Sequence, residues 1–318
     1  MTSPYAVAAE STPWADPRWR ERALAWIRER LGTGIIGRDE PRLRAWSITM
    51  RVRTDRGSVW FKANPPDSRF EAGLTEALAS WAPDRVLTPL AVDAAEGWSL
   101  LPDGGPTLRA TEPDLDAWTE LVRQYADLQR SVAPRVAELL RIGVPDLRPN
   151  RLPARFDELA DSAMVRAQLD AEQYAALVSA RPRLAEDCAR LAASPVTASV
   201  DHSDLHEGQV FVADDGRSVF FDWGDASVGH PFTSLLVVSR VVAQRFEPRD
   251  VERLRDAYLE PWTAEHPIAE LRATAEVAMR LGAVSRALSW SRVFPEAAHV
   301  LDGEHGEAVA YWLTQIAA

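Results

Sequence analysis

Two hydrophobic periods alternate along the chain, and the change from one to the other organises it. Trp19, Ala23, Trp26, Ile27 and Leu31 recur at helical spacing, with Asp16 as N-cap, Pro17 at the first helical position and Gly32 as the stop. Residues 1–13 carry no period and are expected to be disordered. Strand-like patterning follows at 33–37, 43–52 and 58–63, with Thr54-Asp55-Arg56-Gly57 as the turn between the last two. Asn64-Pro65-Pro66 breaks the pattern, and Phe70, Leu74 and Leu78 then mark a helix over 68–80. Strands near 86–92 and 98–101 complete an expected five-stranded antiparallel sheet.

Pro102-Asp103-Gly104-Gly105-Pro106 is the clearest boundary in the chain. Beyond it the period is helical. Leu115, Trp118, Leu121, Val122, Tyr125 and Leu128 predict a long helix from Pro113; Leu139 and Leu140 belong to its continuation or to a following helix. Two helices are expected within 155–191, and others near 232–243, 250–258, 268–290 and 307–316. A short strand over 195–200 leads into two apolar runs, 209–212 and 218–222, that flank Asp214-Asp215-Gly216, the strongest short-range hairpin signal available. The class is therefore α+β: a first part, 14–101, built on a sheet; a linker, 102–106; and a helical remainder, 107–318.

Composition is that of an ordinary globular chain, 46% apolar and 26% charged over 318 residues. No apolar run approaches ~18 residues, which argues against a membrane helix, and the N-terminus lacks the basic start and apolar core of a secretory signal. Cys188 is the single cysteine, which excludes internal disulfides and cysteine-based zinc sites, and the cytoplasm is the expected location. Residues 1–103 hold 14 acidic and 14 basic side chains, whereas 104–318 hold 33 and 22, the whole net charge of -11. An acidic second part is unsuited to nucleic acid. It serves as solubility charge or favours a cationic small molecule.

One compositional fact is sharper. Of 36 basic residues, Lys62 alone is lysine. In a chain that uses arginine everywhere else, the surviving lysine is expected where a compact ammonium is needed and a planar guanidinium will not serve.

The polar residues that bracket the hairpin carry the chemistry. His202, Asp204, His206 and Gln209 precede it, and Asp222 and Gly224 close it, so the hairpin returns Asp222 towards the loop bearing Asp204. Phosphoryl transfer needs a carboxylate to orient a hydroxyl, and a divalent metal held by hard oxygen ligands, such as an amide oxygen and a carboxylate, to keep the nucleotide phosphates in line. Three other readings stay open. His202, Asp204, His206 and His230 could ligate the metal of a hydrolase; His202 and Asp204 could be a buried structural pair; or a nucleotide-binding pseudokinase could lack turnover. The hydrolase reading leaves Lys62 unexplained. His206 and His230 are expected to be structural.

His202-Ser203-Asp204-Leu205-His206-Glu207-Gly208-Gln209 followed by Asp222-Trp223-Gly224 resembles the aminoglycoside phosphotransferase and choline kinase group. These small-molecule kinases share the bilobal protein-kinase-like fold and typically show HGDLHxxN and then IDW. The resemblance runs from the hairpin with Lys62 to Asp222 and fades after 232. It implies Asp204 as the catalytic aspartate, Gln209 and Asp222 as ligands of Mg²⁺, and Lys62 paired with Glu71 to hold the phosphates of ATP or GTP. Gln209 stands where the group usually has Asn, and Ser203 where it has Gly. No glycine-rich loop precedes Lys62, so Ser47 and Thr49 are expected near the phosphates, and the 102–106 linker, with Asp103, becomes the hinge at the adenine. The implied partner is a small hydroxyl acceptor, with Asp225 and Trp290 as its expected contacts; amino sugars, aminoglycosides and metabolic alcohols are equally compatible.

Overall fold

The computed structural model describes residues 12–32, 34–293 and 305–317. Helix α1 (Pro17–Leu31) is capped by Asp16, which accepts from the Arg18 amide at 2.8 Å, and ends at Gly32 with φ 68°. Of residues 1–13, expected to be disordered, Thr12 and Pro13 are ordered. Residues Pro13–Ala15 make a 3-10 turn because Trp14 buries itself edge-on to Trp19, 6.1 Å between ring centres. Residues 1–11 lie outside the described part.

Strands β1 (Ile35–Arg38), β2 (Arg42–Leu43), β3 (Ile48–Thr54), β4 (Gly57–Ala63), β5 (Ala91–Asp93) and β6 (Trp98–Pro102) form one antiparallel sheet. Its order is β1-β3-β4-β6-β5, with two-residue β2 paired to the start of β3. The stretch expected as one strand over 43–52 splits because the Arg44 amide donates to the Ser47 carbonyl at 2.9 Å and closes a corner. The strand expected over 86–92 shrinks to β5. Val86 pairs instead with Phe220, whose amide donates to the Arg85 carbonyl at 2.8 Å, tying the chain to the second lobe.

Strand alternation decides where Lys62 points. Val59, Phe61 and Ala63 face the first core, where Phe61 packs against Trp19, Trp26 and Trp98 at 5.9–6.3 Å. Lys62, one residue out of phase, faces the opposite side. Burying Phe61 contributes roughly 1.5–3 kcal/mol, so slipping the register to move Lys62 would forfeit that burial.

Helix α2 (Phe70–Trp81) carries Glu71. Its stripe of Phe70, Leu74 and Leu78 joins the core of the helical lobe, not that of the sheet. That lobe contains α3 (Leu115–Val132), α4 (Val136–Ile142), α5 (Leu152–Ala160), α6 (Ala163–Arg166) and α7 (Ala171–Ala192), and later α8 (Leu235–Ala243), α9 (Pro248–Leu259), α10 (Ile268–Trp290) and α11 (His305–Ala317). Between the two groups lie strands β7 (Ser199–Asp201), β8 (Val210–Val212), β9 (Ser218–Phe220) and β10 (Ser227–Gly229), paired β7 with β10 and β8 with β9. Gln129, fully buried in α3, donates to the carbonyls of Val200 at 2.7 Å and Pro231 at 3.2 Å, which pins the strand leading into residues 202–209. Among the described residues no helix is long and apolar enough to cross a membrane.

Candidate active site

The cleft between the lobes begins at Lys62. Its Nζ donates to Glu71 Oε1 at 2.7 Å and also to Asp222 Oδ1. Glu76, the other acid of α2, is exposed. Asn64 donates to the second Glu71 oxygen and, at 3.3 Å, to the Ser68 carbonyl, so the carboxylate is held at both ends. A Cβ on Gly224 would stand 3.1 Å from Glu71 Oε2, which leaves little room there for a side chain. Burial alone would lower the Lys62 pKa, but the Asp222 and Glu71 carboxylates overcome it and hold the ammonium above its usual value. Burial would raise Asp222; Lys62 beside it brings it below the usual carboxylate range.

The loop after β7 is set by buried bonds. Asp201 accepts from the Ser203 amide at 3.0 Å and from Ser203 Oγ at 2.9 Å. Ser203 has φ 61° and Asp222 φ 65°, left-handed conformations that cost a non-glycine residue of order 1 kcal/mol or more. Ser203 therefore occupies the geometry that a glycine would take without strain. The His202 amide donates to the Tyr125 hydroxyl at 2.9 Å, its Nε2 donates to the Phe221 carbonyl at 2.9 Å, and its ring lies 4.8 Å from that of Trp223. Burial keeps its pKa low. His206 Nδ1 accepts from the Gly208 amide at 2.9 Å, and burial and then Arg109 press its pKa down to about 4. His230 caps the turn Pro231–Ser234, and burial lowers it to about 3. These histidines are occupied with the backbone. Among the described residues no group of three or more His, Cys, Asp and Glu side chains is placed to hold a metal.

Two cavities meet at this point. The smaller, about 160 Å³, is lined by Lys62, Asp204, Gln209, Asp222, Asp225 and Trp290 among others, and also by Ser47. The larger, about 630 Å³, shares Ser47, Lys62, Gln209 and Asp222, and adds Glu71, Thr49 and Asp103. The structure thus brings the residues expected at the site, Ser47, Thr49, Lys62, Glu71, Asp103, Asp204, Gln209, Asp222, Asp225 and Trp290, to one cleft, whereas His202 and His230 line neither cavity. Asp103 lies at the mouth, where it accepts from the Gly105 amide at 3.1 Å. The Phe211 and Phe221 rings, stacked 4.2 Å apart, line the larger cavity beside it, and a Cβ on Gly104 would collide with Phe211 at 2.4 Å.

Several lining residues were not expected. Arg286 of α10, only 8% exposed, places Nη2 2.8 Å from Asp204 Oδ1 and Nη1 2.7 Å from Asp225 Oδ2. Arg292 donates to the carbonyls of Gly224 at 3.3 Å and Ala226 at 3.0 Å, and burial lowers its pKa to about 10. Arg42 and Arg44 stand at the rim of the larger cavity. Arg286 had a sequence signal: it lies within the apolar run Ala283, Val284 and Ala287 of a helix, where an arginine needs a counter-charge. Arg42 and Arg44 had none. Burial raises the Asp204 carboxyl to about 7; Arg286 opposes it, while Asp225 and Asp222 add to it. Such a carboxyl titrates where a hydroxyl-orienting base operates.

The donor set suits Mg²⁺. The Asp222 carboxylate and the Gln209 side-chain amide line both cavities, and between them they hold the hard oxygens that such an ion needs besides those of water and phosphates.

The fold and the sequence have known relatives. A macrolide 2'-phosphotransferase, MphH from Brachybacterium faecium, superposes with TM-score 0.57 at 19% identity, covering 92% of this chain and 97% of its own. Choline kinase LicA from Streptococcus pneumoniae gives 0.52 at 13%, covering 91% and 99%. A GDP and kanamycin complex of APH(2")-IIia gives 0.55 at 16%, covering 85% and 92%. The architecture is accordingly that of the protein-kinase-like small-molecule phosphotransferases. No curated protein matches the sequence significantly. Since the model of the phosphotransferase enzyme family matches residues 42–273, well over half of the chain, this protein belongs to that family.

Proposed function

We propose that the chain is an O-phosphotransferase that moves the γ-phosphate of a nucleoside triphosphate, ATP or GTP, to the hydroxyl of a small molecule. The observation that carries this reading is the convergence of Lys62, bonded to Glu71 and Asp222, with Asp204 and Gln209 in one cleft. The 14–101 lobe and the 102–106 hinge hold the nucleotide in the larger cavity, with the base beside Phe211 and Phe221. Lys62, steadied by Glu71, exchanges Asp222 for the α- and β-phosphates, and Ser47 and Thr49 lie along the phosphates. Mg²⁺, held by Asp222 and Gln209 when bound, supplies charge neutralisation on the phosphates. The 107–318 lobe presents the acceptor to the smaller cavity, next to Asp225 and Trp290. Asp204 accepts a hydrogen bond from the acceptor hydroxyl and aligns it for attack. Positioning and fixed charge carry the rate. The reaction belongs in the cytoplasm, where its nucleotide is found.

The Arg286–Asp204 bond favours one competing reading, a nucleotide-binding protein without turnover. A screen of hydroxyl acceptors by coupled release of nucleoside diphosphate separates the two. Acceptor-dependent release is expected; its absence across chemically diverse acceptors, with Mg²⁺-dependent nucleotide binding intact, would leave the competitor standing.

A further inference from the structure

An acceptor that carries amines needs unpaired carboxylates around its reacting hydroxyl. Apart from Asp222 beside Lys62, the carboxylates that line the smaller cavity are those of Asp204 and Asp225. One guanidinium already holds both, at 2.8 and 2.7 Å. That guanidinium is anchored. Arg286 is buried on α10, its Nη1 also donates to Ser289 Oγ at 3.1 Å, and its head group lies 5.1 Å from the centre of the Trp290 ring. Arg292 lines the same wall. Its hydrogen bonds go to two backbone carbonyls, and among the described residues it has no ion pair. This wall therefore sets two carboxylates against two guanidinia. Beside these charges and the Ser289 hydroxyl, the wall has an apolar part: Val293, and the Trp46 and Trp290 rings set edge to face at 6.0 Å.

Resting on the phosphotransferase reading, we infer that the acceptor is an uncharged hydroxyl compound with an apolar face, and not an amine. An ammonium brought to Asp204 or Asp225 would meet a carboxylate already neutralised through one oxygen by Arg286, and would come up against that buried guanidinium at close range, so it gains little from the carboxylate and is repelled by the arginine. A carboxylate on the acceptor would meet Asp204 and Asp225 at close range. A neutral hydroxyl incurs neither penalty, and the two tryptophans give its apolar face a surface to pack on. The acid surplus of residues 104–318 is thus not concentrated on this wall, and the cationic acceptor that it suggested is replaced by a neutral one.

The test uses the full chain with Mg²⁺ and nucleoside triphosphate, and acceptors in matched triplets. Glucose, glucosamine and glucuronate form one; aliphatic and aromatic alcohols with their amine and carboxylate counterparts form the others. We expect kcat/KM for neutral members to exceed that of their amine partners by about tenfold or more, a discrimination equivalent to one good polar contact. Preference for amines or for carboxylates, or indifference to charge, overturns the inference and leaves phosphotransfer standing. Absence of transfer to every member, with nucleotide binding retained in a thermal-shift assay, overturns phosphotransfer and this inference with it. Arg286→Gln releases both carboxylates, so the neutral-over-amine ratio should fall; a folded variant with an unchanged ratio counts against the inference. Arg292→Gln, which breaks no ion pair among the described residues, should move the ratio the same way by a smaller factor, and a rise instead would overturn it.

Discussion

The two sides of the cleft use the same charge arrangement with different head groups. On one side Lys62 is shared by Glu71 and Asp222; on the other Arg286 is shared by Asp204 and Asp225. An ammonium is a compact point charge that can exchange one oxygen for another without changing its geometry. A guanidinium is a planar fork that fixes the angle between its partners. The Lys62 side is therefore suited to letting Asp222 go when phosphates arrive, and the Arg286 side to holding Asp204 and Asp225 still. A chain that uses arginine at every other basic position keeps its single lysine on the side where the proposed reaction exchanges a bond.

The largest effect should come from the residue on which the two sides converge. Asp204→Asn removes the proton acceptor while leaving the Lys62 side untouched. Turnover should fall ~10²–10⁴-fold, the usual weight of a positioned base, with nucleotide affinity within a few-fold of wild type. Steady-state kinetics and nucleotide titration measure both. An active wild type whose variant kept its rate would remove Asp204 from the role proposed.

Lys62→Arg tests the contrast in head group directly. The fork is too large for the space between Glu71 and Asp222, so one phosphate contact is lost, and nucleotide-dependent activity should drop roughly ten- to hundredfold. Thermal stability without nucleotide should change little. Retained activity would show that the lone lysine is an accident of composition.

On the Lys62 side the strand with Lys62, the helix with Glu71 and the hairpin with Asp222 were each legible from local signals, and the resemblance implied the Lys62–Glu71 pair; the bond from Lys62 to Asp222, across 160 residues, was not expected. Lys62 and Glu71 are nine residues apart, joined by a strand whose alternation and a helix whose first turn can both be read from periodicity. The hairpin that returns Asp222 carries its own Asp-Gly turn, closed by the Ala213 amide donating to the Arg217 carbonyl at 2.9 Å. On the Arg286 side Asp204, Asp225 and Trp290 were named, but the guanidinium that joins the two carboxylates was not. Arg286 meets Asp225 and Asp204 across 61 and 82 residues of chain, and only the packing of α10 brings them together. The same reason hid the pairing of Val86 with Phe220 and the docking of α2 on the helical lobe. A period shows that a face is buried; it does not say against what. The corner at Arg44–Ser47 was missed because a single backbone bond interrupts an apolar run without any Gly or Pro to announce it.

Arg286→Gln tests the other arm of the comparison through pH. The Asp204 carboxyl stands at about 7 because burial raises it and Arg286 only partly opposes that rise. Protonation removes the acceptor of the hydroxyl proton, so wild-type turnover should climb through about pH 7. Taking away the cation should carry the limb upward by about one unit or more, leaving a deficit at pH 7 that closes at higher pH. The sign for stability follows the same shift. A folded pKa above the usual aspartate value means that the contribution is present at low pH and lost as pH rises through about 7. A rate deficit constant across pH would reduce Arg286 to a packing role.

The smallest effect belongs to Ser203, at the joint between the two sides. Its φ of 61° suits glycine, yet its Oγ donates to buried Asp201 at 2.9 Å. Ser203→Gly would relieve about 1 kcal/mol of backbone strain. It would also lose a hydrogen bond to a charged group, ~1.5–3 kcal/mol, and add unfolded-state entropy of roughly 0.5–1 kcal/mol. The hydrogen bond and the entropy together outweigh the strain, so the variant should be less stable by about 1–3 kcal/mol and melt a few degrees lower. Ser203→Ala loses the same bond and keeps the strain but adds no unfolded-state entropy, so the two variants should lie within about 0.5 kcal/mol of each other. Paired thermal melts decide the matter. If the glycine variant melts above wild type, strain dominates at this joint, and the bond to Asp201 does not compensate for the missing glycine.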